Sequence, residues 1–140
     1  AHFRPLIAEA MQLLGADRVA VLHGDDGIDE VSLSAPTQVT LVEPDRRSEL
    51  SWKPEDFGIA PGDRTAFLVD GPEQSAQRIL AILEGEKGPC RDVVLLNAAA
   101  ALWIAGKAFD LAECVRLAAE AIDSGAARDL LQSWAHLSHQ

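Results

Sequence analysis

The sequence predicts an α/β fold, rich in helix, with a few short strands and one hairpin. Three observations predict it. A helical stripe over Arg4–Leu14 feeds directly into a short β-branched run, Arg18–Leu22, the order expected of a buried strand in an α/β sheet. Two alternating segments, Gln38–Val42 and Glu49–Trp52, flank a loop, Glu43–Ser48, that holds Pro44–Asp45, and this is hairpin patterning. From Pro72 onward apolar residues recur at helical spacing, which makes the second half of the chain helical.

The elements follow in order. In the first helix Leu6, Ile7, Ala10, Met11, Leu13 and Leu14 form the apolar stripe, and Gly15 ends it as a C′ residue. After the Arg18–Leu22 strand, His23–Gly27 carries turn chemistry, with two glycines and two aspartates in five residues. Pro54–Phe57 reads as one helical turn, opened by Pro54 and closed by Gly58. Ile59–Asp70 reads as irregular. Glu73–Leu83 carries Ala76, Ile79, Leu80 and Leu83 on one face. Gly88–Pro89 then opens a long helix to Ala105 that is apolar all round, so burial on all sides is expected, with Leu95, Leu96, Leu102 and Ile104 in the core. Asp110 with Glu113 forms a capping-box-like start for Leu111–Asp123. Gly125 breaks that helix, and Ala126–Leu137 follows with Leu130, Leu131, Trp134 and Leu137 expected inward.

Length and charge bound the function. The 140 residues suit one domain, and 48 % apolar content supports a packed core rather than a disordered acidic tail. The net charge of −10, with nine arginines and three lysines scattered along the chain, argues against nucleic acid held through its phosphates. The longest uncharged stretch, Val93–Gly106, is too short to span a bilayer. No basic segment precedes an apolar one as in a secretory leader. A reducing, cytoplasmic setting is expected, with Cys90 and Cys114 as packed thiols on helices.

The chemistry concentrates in Asp25, Asp26, Asp29 and Glu30, four carboxylates in six residues just after a strand. Ligand crevices of open α/β sheets lie beyond the carboxyl ends of strands. Crowded like charges need screening, and hard oxygen donors suit Mg²⁺. The competing reading is a solvated Asp-Gly turn whose side chains cap their own backbone. His23, at the strand end, reads as a hydrogen-bonded structural residue ahead of a general base. His136 and His139 stand at helical i, i+3 spacing but lack a third ligand for zinc. Asn97 is the one amide inside the apolar helix; a buried amide must be satisfied, so a clamp onto a neighbouring loop is expected. Arg91 and Asp92 are adjacent and suggest an internal ion pair. Ser32 and Ser34 have no paired histidine, and neither a nucleophile elbow, a P-loop nor a G-x-G-x-x-G occurs. No catalytic nucleophile and no phosphate cradle is therefore complete in this chain.

Four strings in this order, HGDDGIDEVSLSAPTQV (His23–Val39), KPEDFGI (Lys53–Ile59), EGEKGPCRDVVLLNAAAAL (Glu84–Leu102) and EAIDSGAA (Glu120–Ala127), resemble the anthranilate phosphoribosyltransferase family over essentially the whole chain. The resemblance implies the C-terminal portion of a nucleoside phosphorylase/phosphoribosyltransferase-like α/β domain. Residues 1–140 would then be one partial domain, without the family's N-terminal helical domain and glycine-rich loop. It implies transfer of phosphoribosyl from phosphoribosyl pyrophosphate to anthranilate, a step of tryptophan biosynthesis, in a complete enzyme that is a homodimer. Asp29 and Glu30 match the family's Asp-Glu pair, which binds Mg²⁺; the pair's role would be electrostatic, on the departing pyrophosphate. The expected position is a cleft at the carboxyl end of the Arg18–Leu22 strand, with Asp25 and Asp26 far more tolerant of Asn than the pair.

Some positions depart from the family pattern. Ala35 stands where glycine is common, so a positive φ there would be strained. Asp70–Gly71 replaces a frequent Gly-Gly, Ser75 a usual Asn, and Lys53 a capping Thr. Other readings are a nucleoside phosphorylase, a non-catalytic nucleic-acid-binding relative on the same scaffold, and a helical interaction module. The pair and the Gly-Pro-x-Arg-Asp block oppose the first, and the acidic charge opposes the second.

Overall fold

The computed structural model describes residues 2–138. Helix α1 (Arg4–Leu13) leads into strand β1 (Val19–Gly24), followed by β2 (Thr37–Glu43) and β3 (Arg46–Trp52). One-turn 3-10 helices at Pro54–Phe57 and Arg64–Phe67 connect to α2 (Pro72–Leu83), α3 (Pro89–Ile104), α4 (Leu111–Asp123) and α5 (Ala126–Ser138). Among the described residues no helix is long and apolar enough to cross a membrane.

The three strands form one antiparallel sheet in the order β1-β2-β3. The β2–β3 hairpin has Glu43 opposite Arg46, which leaves only Pro44–Asp45 as the turn, tighter than the loop expected. Among the described residues no non-glycine residue has a positive φ, so the turn is of the unprimed kind that Pro44 favours at its first central position. Strand β1 corrects the sequence reading: it pairs antiparallel with β2 and its apolar residues are only half-buried. A run that is apolar on both faces fixes strand type, but burial also needs a layer on each face.

Helix α3 lies against the centre of the structure. Leu96 and Ala99 are fully buried in a core with Val31, Leu33, Val39, Trp52, Phe57 and Cys114. The Trp52 ring meets Phe57 and Trp103 edge-on, at centroid distances of 5.7 and 5.5 Å, the arrangement that aromatic quadrupoles favour. Arg18 lies 4.2 Å above the Trp103 ring and donates to the Trp103 carbonyl at 2.9 Å, tying β1 to the C-terminal end of α3. A second cluster, Ile82, Leu95, Ala118 and Ile122, joins α2, α3 and α4. As expected, Leu95 and Leu96 are buried; Leu102 and Ile104 are half-buried.

The helical stripes are present, but several do not face the core. Helix α1 packs Ala8 against the sheet, while Leu6, Ile7, Leu13 and Leu14 are exposed. In α2 only Ile82 is buried, with Ile79 and Leu80 exposed. In α5 Leu130, Trp134 and Leu137 face outward, contrary to expectation. Even α3, apolar all round, leaves Val94 exposed. Between α2, α3 and α4 an open apolar groove of ≈ 800 Å³ runs past Ile79, Val94, Leu102 and Leu117.

Local signals fare better. Asp110 caps α4, its carboxylate accepting the Glu113 N–H at 2.9 Å; the Glu113 side chain turns to Arg116 instead of closing a reciprocal box. Asp110→Ala should therefore lower stability by about 1 kcal/mol, read as a fall in the denaturation midpoint with an unchanged slope. Lys53 has no acceptor to offer as a cap, but Asp56 reaches back to its N–H at 2.7 Å, and Gly58 closes the turn at φ +71°. The segment read as irregular holds the Arg64–Phe67 turn, capped by Asp63 on the Thr65 N–H at 2.9 Å. Cys90 and Cys114 are free thiols.

Candidate functional site

The acidic stretch lies in the loop between β1 and β2, and its backbone is held at several points. At the loop's entrance Gly24 leaves no room for a side chain: a Cβ there would sit 2.6 Å from Asp26 Oδ1 and 2.7 Å from Ile28 Cγ2. The Gly24 N–H donates to the Ile28 carbonyl at 2.9 Å, and the Asp25 N–H to the Pro36 carbonyl at 2.8 Å. The loop thus folds back on its own root.

The four carboxylates divide into two kinds. Asp26 is a structural hub. Its Oδ2 accepts the Ser32 hydroxyl at 2.7 Å and the Ser34 hydroxyl at 2.8 Å, and Arg64 donates to its backbone carbonyl at 3.1 Å. Burial works against its charge, but the two serine hydroxyls and the Ile28 N–H outweigh it and hold the carboxyl below the ordinary range. Asp25 accepts from the Gln38 amide at 3.0 Å. Asp29 and Glu30 are exposed, and among the described residues neither accepts a hydrogen bond or pairs with a cation. Burial of its stem raises the Glu30 carboxyl above the ordinary value, and the Asp29 charge adds to this. Two adjacent hard-oxygen donors free of protein partners have the chemistry to take a divalent cation that keeps most of its water or binds a phosphate as well. Among the described residues no group of three or more His, Cys, Asp or Glu side chains converges as a metal cage.

Asn97, half-buried on α3, uses both ends of its amide. Its Oδ1 accepts the Val31 N–H at 2.8 Å, and its Nδ2 donates to the Val31 carbonyl at 3.2 Å and to the Val93 carbonyl at 2.9 Å. The expected clamp exists, and the loop it grips is the acidic one. Other expectations change. Arg91 pairs with Asp123 at 2.8 Å rather than with Asp92, because its side chain runs buried to the end of α4, where Lys87 reaches the same carboxylate at 3.3 Å. His23 lies half-buried on β1 opposite Gln38 without a side-chain hydrogen bond among the described residues, so the hydrogen-bonded reading is not met. Ala35 has no positive φ and is unstrained; its N–H donates to the Ser32 hydroxyl at 3.1 Å. His136 lies on α5, and His139 falls outside the described residues.

A family profile described as the glycosyl transferase family, a/b domain, matches residues 1–128. The chain belongs to the glycosyl transferase family. This glycosyl transferase domain is 37 % identical over 135 residues to an anthranilate phosphoribosyltransferase of Nitrosomonas europaea, covering 96 % of the chain and 40 % of that relative. It is 44 % identical over 126 residues to the Rhodopseudomonas palustris enzyme of the same name, covering 90 % and 37 %. Among solved structures, anthranilate phosphoribosyltransferase from Thermus thermophilus superposes with a TM-score of 0.81 at 36 % identity, over 95 % of this chain and 39 % of that one. The Saccharomyces cerevisiae enzyme in complex with PRPP and Mg gives a TM-score of 0.84 at 25 % identity, over 92 % and 38 %. The chain spans about 40 % of the length of the curated relatives it matches.

Within this glycosyl transferase domain the sequence reading found the clamp and the free pair, but missed the hub. Ser32, Ser34 and Asp26 were visible only as separate polar residues; an Asp followed six and eight positions later by serines is no recognised signature. One further result is expected from the raised Glu30 carboxyl. Folding favours its protonated form, so that contribution is present below the ordinary value near 4.5 and is lost as pH rises through the higher folded value. At pH 7 the ionised side chain therefore opposes folding. Glu30→Gln should raise Tm at pH 7, and the variant and parent should converge in acid below that value, in thermal melts across pH.

Proposed function

We propose that this chain is the C-terminal part of the catalytic α/β domain of an Mg²⁺-dependent anthranilate phosphoribosyltransferase. The complete enzyme would be cytoplasmic and homodimeric, and would transfer phosphoribosyl from phosphoribosyl pyrophosphate to anthranilate in tryptophan biosynthesis. The observation that carries the reading is the free Asp29–Glu30 pair on a locked loop, in a chain aligned over 96 % of its length with an enzyme of that name. The exposed apolar faces of α1, α2 and α5 support it too, since they suit a segment that covers about 40 % of its relatives.

Asp29 and Glu30 are the residues that would hold the cation. When bound, Mg²⁺ supplies charge neutralisation on the pyrophosphate as it leaves. An acidic chain needs such a bridge to meet a diphosphate, since its own carboxylates repel one. The roles of the chain's residues are then distinct: Asp29 and Glu30 are exposed and would meet the cation, Asp26 shapes the loop, and Asn97 grips its far side. The acceptor contacts and the glycine-rich phosphate loop would come from outside residues 1–140.

The complete enzyme should form phosphoribosyl anthranilate from its two substrates in the presence of Mg²⁺, and lose that activity on chelation. The purified 140-residue chain should show none, because orienting both substrates supplies much of the rate enhancement of a bimolecular transfer. Turnover by the chain alone, or a complete enzyme indifferent to Mg²⁺, would contradict the proposal.

A further inference from the structure

We infer that Asn97 is a positioning residue for the Asp29–Glu30 pair, setting through one peptide plane the direction in which Glu30 is presented; the inference rests on the pair being the metal site. The amide is the single polar break in the Val93–Ala105 stretch of α3, and each of its hydrogen-bonding ends is used. Its orientation is fixed chemically: Oδ1 faces an N–H, while Nδ2 faces two carbonyls, so a flipped amide would set oxygen against oxygen. Nδ2 bonded to Val93, one turn back on the same helix at 2.9 Å, holds the side chain in register with α3.

The N–H that Asn97 accepts belongs to Val31, and so to the peptide joining Glu30 and Val31. Because a peptide is planar, the Glu30 Cα and carbonyl lie in the same rigid unit as that N–H. Holding the N–H at 2.8 Å therefore fixes the backbone from which the Glu30 side chain leaves. The Val31 side chain, 1 % exposed, anchors the next residue in the core. On the other side of the pair, the Ile28 carbonyl is held by the Gly24 N–H at 2.9 Å, and that carbonyl shares its plane with the Asp29 nitrogen and Cα. Two pinned planes thus bracket two side chains that, among the described residues, make no hydrogen bond or ion pair of their own. Without the Asn97 bond, one bracket opens and the Glu30 carboxylate loses its fixed relation to Asp29.

A residue that merely stabilised the fold would lower Tm without touching metal binding, and this separates the two roles. In the complete enzyme, binding of Mn²⁺ with inorganic pyrophosphate, in the absence of anthranilate and read by Mn²⁺ electron paramagnetic resonance, should weaken about tenfold or more in Asn97→Ala. Hydrogen exchange at the Val31 amide should accelerate in the same variant. Leu95→Ala, which cuts the α3 core away from the loop, should lower Tm and leave Mn²⁺ binding unchanged. Asn97→Gln keeps an amide but moves it one methylene away from the Val31 N–H and the two carbonyls; it should weaken Mn²⁺ binding about threefold, and it serves where Asn97→Ala does not fold. Unchanged Mn²⁺ binding in a folded Asn97→Ala or Asn97→Gln, or an equal loss in Leu95→Ala, would overturn the inference. The double variant Asp29→Asn, Glu30→Gln in the same assay distinguishes the two levels. If it binds Mn²⁺ and pyrophosphate like the parent, the metal reading itself falls; if it loses binding while Asn97→Ala does not, only the positioning role falls.

Discussion

Replacing Asp29 by Asn and Glu30 by Gln together should lower turnover of the complete enzyme by about 10²-fold, a loss of the size seen when one preorganised electrostatic contact to a developing charge is removed. The double change keeps side-chain shape and removes two negative charges. Half-maximal activity should require more Mg²⁺, and the response to Mg²⁺ should flatten. Stability should not fall, because the two side chains have no hydrogen bond to lose among the described residues and Glu30 is already disfavoured as an ion. Steady-state kinetics across a Mg²⁺ series, with a thermal melt of the same preparation, reads both. A variant that unfolds, or one with parental Mg²⁺ dependence, would return the pair to an ordinary loop. Asp25→Asn is the neutral control. Asp26→Asn is not, since it puts an amide where Oδ2 accepts two serine hydroxyls, and its effect should appear in the melt before it appears in the Mg²⁺ response. The sequence had placed Asp25 and Asp26 together as tolerant; the hydrogen bonds separate them.

Leu96→Ala should destabilise by about 2–5 kcal/mol, the cost of lost transfer energy plus the cavity left behind. Leu96 is fully buried where α3 meets the sheet side of the core, among Val31, Val39 and Phe57, and its neighbours are too tightly fixed to collapse into the gap. Denaturant unfolding should show a lower midpoint with the slope preserved. A loss below about 1 kcal/mol would mean that α3 is not the spine of this segment.

Much of this chain is legible residue by residue where the controlling interactions are local. Asp110 before an amphipathic run, Gly58 after a Pro-opened turn and the alternation on either side of Pro44–Asp45 each specify their own backbone within a few positions. The lone amide in an apolar helix was readable for the same reason: an amide taken even half out of water must find partners, whatever they are. Asp25, Asp26, Asp29 and Glu30 together read as a charge problem that a cation or a solvated turn could answer, and only the resemblance singled out Asp29 and Glu30.

What required the folded chain is everything that depends on distant neighbours. Periodicity identifies an apolar stripe but not the surface that covers it: Leu130, Trp134 and Leu137 of α5 were expected inward and instead face out, and the stripe of α1 leaves Leu6, Ile7, Leu13 and Leu14 exposed. A β-branched run says strand, but whether it pairs parallel or antiparallel depends on which other strand reaches it, here β2. Arg91 was matched to the carboxylate beside it, yet a buried guanidinium takes the partner its geometry allows, Asp123 at the end of α4. The four clustered carboxylates looked alike because charge is a property of composition. Their division into a hub, a bridge and a free pair comes from where Ser32, Ser34, Gln38 and Asn97 arrive in space, and hydrogen bonds, being short and directional, are decided only there.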